Sequence, residues 1–167
     1  ERLLRRSTRP LLVVRQKPHE PYRRCLVTID FSPWSADAVQ AARRVAPGAN
    51  LLLFSVFQVP FEDKLRFAGV DAATIEHYRR QARADALQRL HGLAQKAGLK
   101  SGDWEPQVAE GDASMRIVET EQALDCDLVV LGKHGQSATE ELLLGSVTKH
   151  VLAEGDADVL VSTSRRP

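Results

Sequence analysis

Short apolar runs alternate along the chain with segments whose apolar residues recur at helical spacing. The runs are brief and rich in β-branched residues, a pattern typical of strands that are buried on both faces. They predict strands at residues 25–29, 51–57, 104–110, 127–131 and 158–163. Pro106 weakens the third of these, because proline cannot donate a hydrogen bond to a neighbouring strand. Strands that alternate with helices in this way predict an α/β fold, with a parallel sheet and helices on both of its faces.

Turn residues indicate where the intervening helices begin and end. Ser32 and Pro33 are a cap and first-turn signal for the first helix, and Pro47–Gly48 ends it. A polar loop is predicted over residues 58–71. The longest helix follows, with one apolar face and an opposite face rich in arginine, glutamine and aspartate. Gly98 ends this helix, since glycine readily adopts the left-handed conformation that closes a helix.

The segment before the first predicted strand repeats a pattern found at the other end of the chain. Residues 3–4 and 11–13 match residues 151–152 and 159–161, and both pairs are separated by 148 positions. In each case a helix end is followed by polar or small residues and then by an apolar strand. This favours a tandem repeat over the alternative, an edge strand that merely resembles the C-terminal segment.

The repeat divides the chain into three parts. Residues 1–16 are interpreted as the tail of a preceding copy, 17–21 as a linker and 22–164 as one complete domain. A first residue other than methionine agrees with this interpretation. We expect residues 10–15 to form a strand that pairs with a sheet edge or a symmetry mate, rather than a sixth strand native to this domain.

Composition narrows the classes of function. The 167 residues include 23 Lys and Arg against 22 Asp and Glu, a formal charge of +1, whereas binders of nucleic acids or membranes that rely on bulk charge are far more basic. No apolar run reaches the roughly 20 residues of a membrane span. Two cysteines, Cys25 and Cys126, are too few for a disulfide framework, so a reduced cytoplasm is expected. They are interpreted as two buried thiols or, alternatively, as a redox pair on neighbouring strands.

The loop after the fourth predicted strand carries candidate chemistry. Gly132, Gly135, Gly145 and Ser146 follow the spacing G-x2-G-x9-G-S, which differs from the P-loop and from the dinucleotide fingerprint. In an open parallel sheet, ligands bind at the carboxyl edge, where this segment begins. Backbone amides at the helix start near Gly145 suit a phosphate group. The alternative is a flexible loop with a glycine turn before a capped helix.

This segment resembles the nucleotide-binding signature of the universal stress protein family. The resemblance extends over residues 22–164 and includes CLVTIDFSPWS, LLLFSV, DLVVLGKHG and LLLGSVTKHVL. It implies an open five-stranded parallel sheet of the Rossmann-like, adenine nucleotide hydrolase-like type, and usually a dimer. The resemblance further implies ATP binding, because members with the intact signature generally bind ATP, and the family includes tandem two-domain proteins.

The resemblance also implies roles for individual residues. Asp30, at the end of the first strand, would meet the ribose hydroxyls, or would serve only to cap the following helix. The other candidates would flank the adenine (Thr28, Val56), line the ribose and phosphate path (Leu131, Gly132, Gly135) or hold the phosphates (Gly145, Ser146, Val147). For Thr28 and Val56 the alternative is core packing, and His134 either touches the ligand or faces solvent.

Together these features predict a stress-response module that binds ATP, with Mg²⁺ where the nucleotide carries it, and that hydrolyses ATP slowly at most. No catalytic residue and no protein-built metal site is predicted. The alternatives are a true ATPase and a nucleotide-free interaction module with a vestigial glycine loop. The expected partner is a second copy, as a homodimer or as the preceding tandem repeat, and neither nucleic acid nor a membrane is expected. Four arginines of the longest helix are interpreted as a solvated face paired with nearby acids: Arg79, Arg80, Arg83 and Arg89.

Overall fold

The computed structural model describes residues 7, 9–17, 20–60, 62–132 and 145–163. Its strands are β1 (Leu11–Val13), β2 (Arg24–Thr28), β3 (Asn50–Phe57), β4 (Trp104–Glu110), β5 (Leu128–Gly132) and β6 (Asp158–Ser162). Its helices are α1 (Ser35–Val45), α2 (Glu62–Phe67), α3 (Ala72–Lys96), α4 (Ala113–Ala123) and α5 (Ser146–Glu154). The five predicted strands are confirmed to within one residue at each end. No helix of the described segments is both long and apolar enough to cross a membrane.

The strands form one sheet in the order β1-β6-β5-β2-β3-β4. Strands β2 to β6 are parallel, which confirms the predicted open parallel α/β sheet. The sheet has six strands rather than the five expected, because β1 adds to β6 in the antiparallel direction. The chain runs from β2 towards β4 and then returns to the other side of β2, so the order reverses between β2 and β5. Pro106 lies in β4, at an edge of the described sheet, where its missing N–H is tolerated.

Helices cover both faces of the sheet, as predicted. Alternate residues along each strand point to opposite faces, so neighbouring residues enter separate cores. Helices α1 and α3 pack on one face, against residues that include Val27, Leu53 and Val130. Helices α4 and α5 pack on the other face, against residues that include Leu26 and Val129. Because the strands are apolar on both sides, burial of both faces accounts for their continuous apolar runs.

The first helix begins later than its sequence signal indicates. Ser32 and Pro33 predicted the cap, yet α1 starts at Ser35, and Pro33 lies in a turn before it. The turn is held by Asp30, whose Oδ1 accepts hydrogen bonds from the Ser32 amide and the Ser35 hydroxyl, both at 3.0 Å. The carboxylate therefore stabilises a turn that precedes the helix instead of capping the helix itself.

The segment predicted as a polar loop contains the short helix α2. None of its residues is buried, and its own turn is closed by an ion pair between Arg66 Nη2 and Glu62 Oε1 at 2.7 Å. A helix that buries no apolar face leaves no apolar period in the sequence, which explains why the pattern did not reveal it.

Asp158, the first residue of β6, fastens the end of β1 to the sheet. Its Oδ1 accepts hydrogen bonds from the amides of Arg15, at 2.7 Å, and Gln16, at 3.1 Å, and its Oδ2 accepts one from the Tyr22 hydroxyl at 2.7 Å. Burial on its own would raise the pKa of Asp158, but these hydrogen bonds outweigh it and hold the pKa below its usual value. The N-terminal segment is thus bonded to the sheet through side chains as well as through the strand pairing.

A second carboxylate holds the turn between α5 and β6. Glu121 of α4 is 2% exposed, and its Oε1 accepts hydrogen bonds from the amides of Asp156, at 2.6 Å, and Ala157, at 2.5 Å. Gly155 passes so close that a Cβ atom there would lie 2.6 Å from Glu121 Oε2. The Arg15 guanidinium also donates to the Gly155 carbonyl, so the segment after β1 is bonded to this turn as well.

Candidate functional site

A cleft of about 670 Å³ opens at the carboxyl ends of β2 and β3. Asp30 and Phe31, which follow β2, form one side of it together with residues 55–58 at the end of β3. Helix α3 forms the opposite wall through residues one turn apart on a single face: Ala82, Asp85, Ala86 and Arg89. The cleft therefore lies at the sheet edge where open parallel sheets bind ligands.

Asp30 is the acidic residue that the sequence placed at this edge, and the structure places it in the cleft wall. The residue is exposed, and Oδ1 is held by the Ser32 amide and the Ser35 hydroxyl. Two donors from the following turn restrict how the carboxylate can rotate. Asp30 thus stabilises the turn rather than capping the helix, which was the alternative, and its position in the wall also suits it to accept hydrogen bonds from a ligand.

The two residues expected to flank an adenine differ in position. Val56 lines the cleft and is partly exposed. Thr28 ends β2, and its hydroxyl donates to the carbonyl of Val130 on β5 at 3.0 Å. The described lining of the cleft includes Val56 but not Thr28. An apolar contact to a ligand in this cleft therefore comes from β3 more readily than from Thr28.

The glycine segment is described only at its two ends. Leu131 is 2% exposed and its side chain packs in the core below α4 and α5, so only its backbone faces the carboxyl edge. Gly132 ends β5 and is partly exposed. His134 and Gly135 lie outside the described residues. The geometry of the middle of the predicted phosphate loop therefore remains a prediction.

The start of α5 points towards the same edge as the end of β5. Gly145 precedes the helix with φ −58° and ψ 151°, and no side chain of the described segments caps the first turn. By contrast, Asp71 caps α3 and Asp112 caps α4. Ser146 is exposed, whereas Val147 is half-buried against the core. Since α5 ends beside the start of β6, its first amides lie towards the carboxyl edge of the sheet.

Sequence reasoning missed the part that Arg89 plays in the cleft. Its guanidinium carbon lies 4.0 Å from the centre of the Phe31 ring, and Nη1 lies 3.8 Å from Asp85 Oδ2. The predicted pairing with a local acid is therefore present, but the arginine also forms part of the cleft wall. The signal available in the sequence is the spacing of two alanines and this arginine on one helix face, Ala82, Ala86 and Arg89.

Arg79 likewise does more than pair with its own helix. It bonds Glu76 at 2.7 Å, Glu62 of α2 at 2.9 Å and Glu110 at the end of β4 at 2.7 Å. The hydrogen bonds to Glu110 and Glu76 raise the pKa of Arg79, so the cation persists at any pH at which the protein is folded. Arg79 thus ties α2, which buries no residue, to the rest of the domain beside the cleft.

The two cysteines are buried and free, and they pack in different hydrophobic cores. Cys25 packs among residues below α1 and α3, and Cys126 among residues below α4 and α5. Burial raises the pKa of both thiols, that of Cys126 to about 12. The geometry therefore favours two inert buried thiols over the alternative of a redox pair. Within the described residues, no group of three or more His, Cys, Asp and Glu side chains is arranged to hold a metal ion.

Comparisons with known proteins agree with this architecture. Residues 21–163 match the Universal stress protein family. A universal stress protein of Methanocaldococcus jannaschii, MJ0531, is 26% identical over 144 residues, which span 84% of this chain and 81% of the relative. The structure of the hypothetical protein MJ0577 superposes with a TM-score of 0.70 at 20% identity, covering 87% of this chain and 99% of the other.

Of two further similar structures, one contains a bound ligand and the other a longer chain. A universal stress protein in complex with cAMP is 26% identical, with a TM-score of 0.57, and covers 86% of this chain and 98% of its own. A universal stress protein from Archaeoglobus fulgidus, 19% identical with a TM-score of 0.63, covers 96% of this chain but only 52% of its own length. The matched residues, the parallel sheet and its helices on both faces lead to one conclusion: the chain belongs to the universal stress protein family.

Proposed function

We propose that the domain binds ATP or a related adenine nucleotide in the cleft between β2, β3 and α3, and that occupancy of this site acts as a switch in a stress response. The observation that carries the proposal is the position of Asp30 in the wall of a cleft of about 670 Å³. Pockets for small ligands typically measure about 300–1,000 Å³ and combine apolar walls with a few polar groups.

The cleft, together with the start of α5 at the same edge of the sheet but outside the described lining of the cleft, offers a group for each part of a nucleotide. Asp30 can accept hydrogen bonds from vicinal ribose hydroxyls, the role that acidic residues play at this edge of related sheets. Val56 and the small side chains Ala82 and Ala86 leave an apolar space for a base. The first amides of α5, which no side chain of the described segments caps, suit phosphates, because backbone N–H groups and the helix dipole both favour an anion. The cAMP complex of a similar universal stress protein supports the choice of an adenine nucleotide.

Binding with slow turnover is proposed in preference to an ATPase. Fast phosphoryl transfer needs a base that positions water and a cation that meets the developing charge. Asp85, the other acid in the cleft wall, faces Arg89 in a local ion pair. A single-turnover assay with Mg²⁺ separates the two functions, because rates of about 1 per second or more would favour an enzyme.

A Gly145→Asp variant tests the phosphate site. We expect it to bind ATP at least about tenfold more weakly, because its carboxylate would accept hydrogen bonds from the first amides of the helix and would repel phosphate. The backbone at Gly145 is accessible to other residues, and a Cβ there meets no described atom within 4 Å. The domain should therefore be as stable as the wild type or slightly more stable, since aspartate is a good helix cap. Isothermal titration calorimetry and thermal melts measure the two effects.

The matched control is Gly145→Asn, which caps the helix without adding charge. It should lose less affinity than the aspartate variant. Equal ATP affinity in the wild type and both variants would favour the alternative of a vestigial loop, and failure of the wild type to bind any adenine nucleotide would refute the proposed function.

We also propose that β1 is the last strand of a preceding copy of this domain, so that the partner is a second domain of the same fold. Leu12 pairs with Leu160, the residue 148 positions later that corresponds to it in the repeat. On either side of this pair, Leu11 pairs with Val161, which corresponds to Val13 in the repeat, and Val13 pairs with Val159, which corresponds to Leu11. This is the register that a two-fold axis between two identical last strands would produce.

The exposure of β1 supports the same proposal. Its segment is apolar throughout, yet Leu12 is 39% exposed and Val14 is 54% exposed, whereas β6 is buried on both faces. Continuous apolar runs belong to strands that are covered on both sides. Helices of a second copy would provide that cover. The match to 96% of this chain within a structure about twice as long agrees with a tandem arrangement.

Removing residues 1–14 tests this interface. The deletion exposes the edge of β6, but a start methionine placed before Arg15 keeps the Arg15 and Gln16 amides that bond Asp158. We expect the shortened chain to dimerise through β6, because an unpaired apolar edge recruits another strand. Sedimentation equilibrium measures the mass, and a chain that lacks only residues 1–8 and keeps β1 is the control. A shortened chain that stays folded and monomeric at about 100 μM would contradict the proposal.

A further inference from the structure

The backbone of Phe31 is held in an unusual conformation beside the cleft. Its φ is 60°, in the left-handed region that bulky residues seldom adopt. The turn at this residue brings the Ser32 amide and the Ser35 hydroxyl onto the carboxylate of Asp30. The orientation of Asp30 therefore depends on a conformation that is locally unfavourable and that other contacts have to maintain.

Arg89 supplies a contact of this kind. Its guanidinium carbon lies 4.0 Å from the centre of the Phe31 ring, within the range of a cation–π interaction. The arginine projects from the C-terminal half of the 25-residue helix α3, which is anchored at the next position by the fully buried Leu90. Asp85, one turn earlier, lies 3.8 Å from the guanidinium. A rigid helix thus presents the cation to the ring.

We infer that Arg89 is a positioning residue for the nucleotide: it holds Phe31 in the left-handed conformation and so keeps Asp30 oriented towards the ribose. The inference rests on the proposed function, because it assigns the ribose hydroxyls to Asp30. Arg89 acts through Phe31 and makes no contact with the ribose in this arrangement. Its effect on affinity is therefore limited to ligands whose hydroxyls Asp30 can bind.

Two ligands that differ only in those hydroxyls, ATP and 2′,3′-dideoxy-ATP, test the inference. We expect Arg89→Ala to weaken ATP binding by about three- to tenfold and to leave dideoxy-ATP binding unchanged. Arg89→Lys should recover part of the loss, because lysine keeps a cation near the ring but does not stack as arginine does. Arg80→Ala, which removes an exposed arginine of the same helix, is the matched control and should affect neither ligand.

A double-mutant cycle with Phe31→Gly provides a second test. Glycine adopts a φ of 60° without strain and offers no ring to the guanidinium. In the Phe31→Gly background, Arg89→Ala should therefore have no further effect on ATP affinity. An undiminished effect of Arg89→Ala in that background would overturn the inference.

Other outcomes are equally decisive. An equal loss for ATP and dideoxy-ATP would mean that Arg89 contacts the phosphates or the base, and no loss for either would mean that it has no role in binding. Both results would overturn the inference while leaving the proposed function intact. Failure of the wild type to bind either ligand would refute the proposed function instead.

A measurement without ligand keeps the inference testable in that case. The Ser32 amide donates to Asp30, so its hydrogen exchange reports the geometry of the turn. Exchange at Ser32 should accelerate in Arg89→Ala and not in Arg80→Ala. Unchanged exchange in the Arg89 variant would overturn the inference whether or not a nucleotide binds.

Discussion

An Asp30→Ala variant should bind ATP about ten- to a hundredfold more weakly than the wild-type chain, because hydrogen bonds to a charged group contribute about 1.5–3 kcal/mol. Asp30 lies in the cleft wall, and its carboxylate is preoriented by Ser32 and Ser35. A preoriented acceptor loses little freedom when it binds two hydroxyls. Titration calorimetry with ATP and with dideoxy-ATP measures the loss, which should be confined to ATP.

The sign of the effect distinguishes a specific hydrogen bond from bulk charge. ATP is an anion, so removing any acid from the cleft should strengthen binding if only the net charge mattered. Asp85→Asn removes the other negative charge of the cleft wall, keeps a side-chain oxygen beside Arg89 and is the matched control. It should leave ATP affinity unchanged or raise it slightly. An Asp30→Ala variant that binds ATP as tightly as the wild type would mean that Asp30 only stabilises the turn that follows β2 and does not bind the ligand.

An Asp158→Ala variant should lower the free energy of unfolding by about 3 kcal/mol at pH 7, since removal of a buried charged acceptor leaves its donors unsatisfied. Asp158 is 4% exposed and accepts hydrogen bonds from Arg15, Gln16 and Tyr22. For a chain of this size the loss corresponds to a fall in Tm of about 6–12 °C. Chemical denaturation measures the free energy, and hydrogen exchange shows whether β1 is released from β6.

The pH dependence of this loss follows from the lowered pKa of Asp158. The unfolded chain has an aspartate pKa of about 3.9, and the folded pKa lies below it. The carboxylate therefore contributes its stability above about pH 4 and loses it as the pH falls through the folded value. The difference in free energy of unfolding between the wild type and Asp158→Ala should have its full value at pH 7 and should shrink as the medium becomes more acidic.

Asp156→Ala is the control for this prediction, because it removes an exposed acid two positions away. Its Oδ2 accepts a hydrogen bond from Gln122, and its loss should change the free energy of unfolding by no more than about 0.5 kcal/mol. A Tyr22→Phe variant removes one of the three donors to Asp158 and should cost about 1 kcal/mol. An Asp158→Ala variant as stable as the wild type, or a difference that persists unchanged in acid, would contradict the argument.

The position of the strands and of Asp30 was readable from the sequence because both depend on local properties. A buried parallel strand must be apolar on both faces, so β2, β3, β5 and β6 stand out as continuous runs. Once the strands are located, the residue after the first one lies at the carboxyl edge by topology alone. Val56, which the resemblance to universal stress proteins implied as a ligand contact, also lies in the cleft.

Other features could not be found this way, because they depend on contacts between distant segments. Helix α2 buries nothing and is held by Arg79, so no apolar period marks it. The contact between Phe31 and Arg89 joins residues far apart in the chain, and neither residue is unusual in its own segment. Thr28 shows the same limit. Its position near the end of a strand was predicted correctly, but its hydroxyl donates to a carbonyl of β5, a contact that the sequence of β2 does not reveal.

The amino-acid sequence by itself determined the parallel α/β domain and its carboxyl edge, which follow from periodicity and spacing because these record how each segment is buried. The family and the candidate nucleotide residues came from the resemblance of the glycine segment and its neighbouring motifs to universal stress proteins. Only the tertiary structure decided which edge β1 occupies, how Asp158 fastens it and how Arg89 meets Phe31 in the wall of the cleft. Such contacts form when packing brings distant segments together, and their energy depends on geometry that no single segment of the chain encodes.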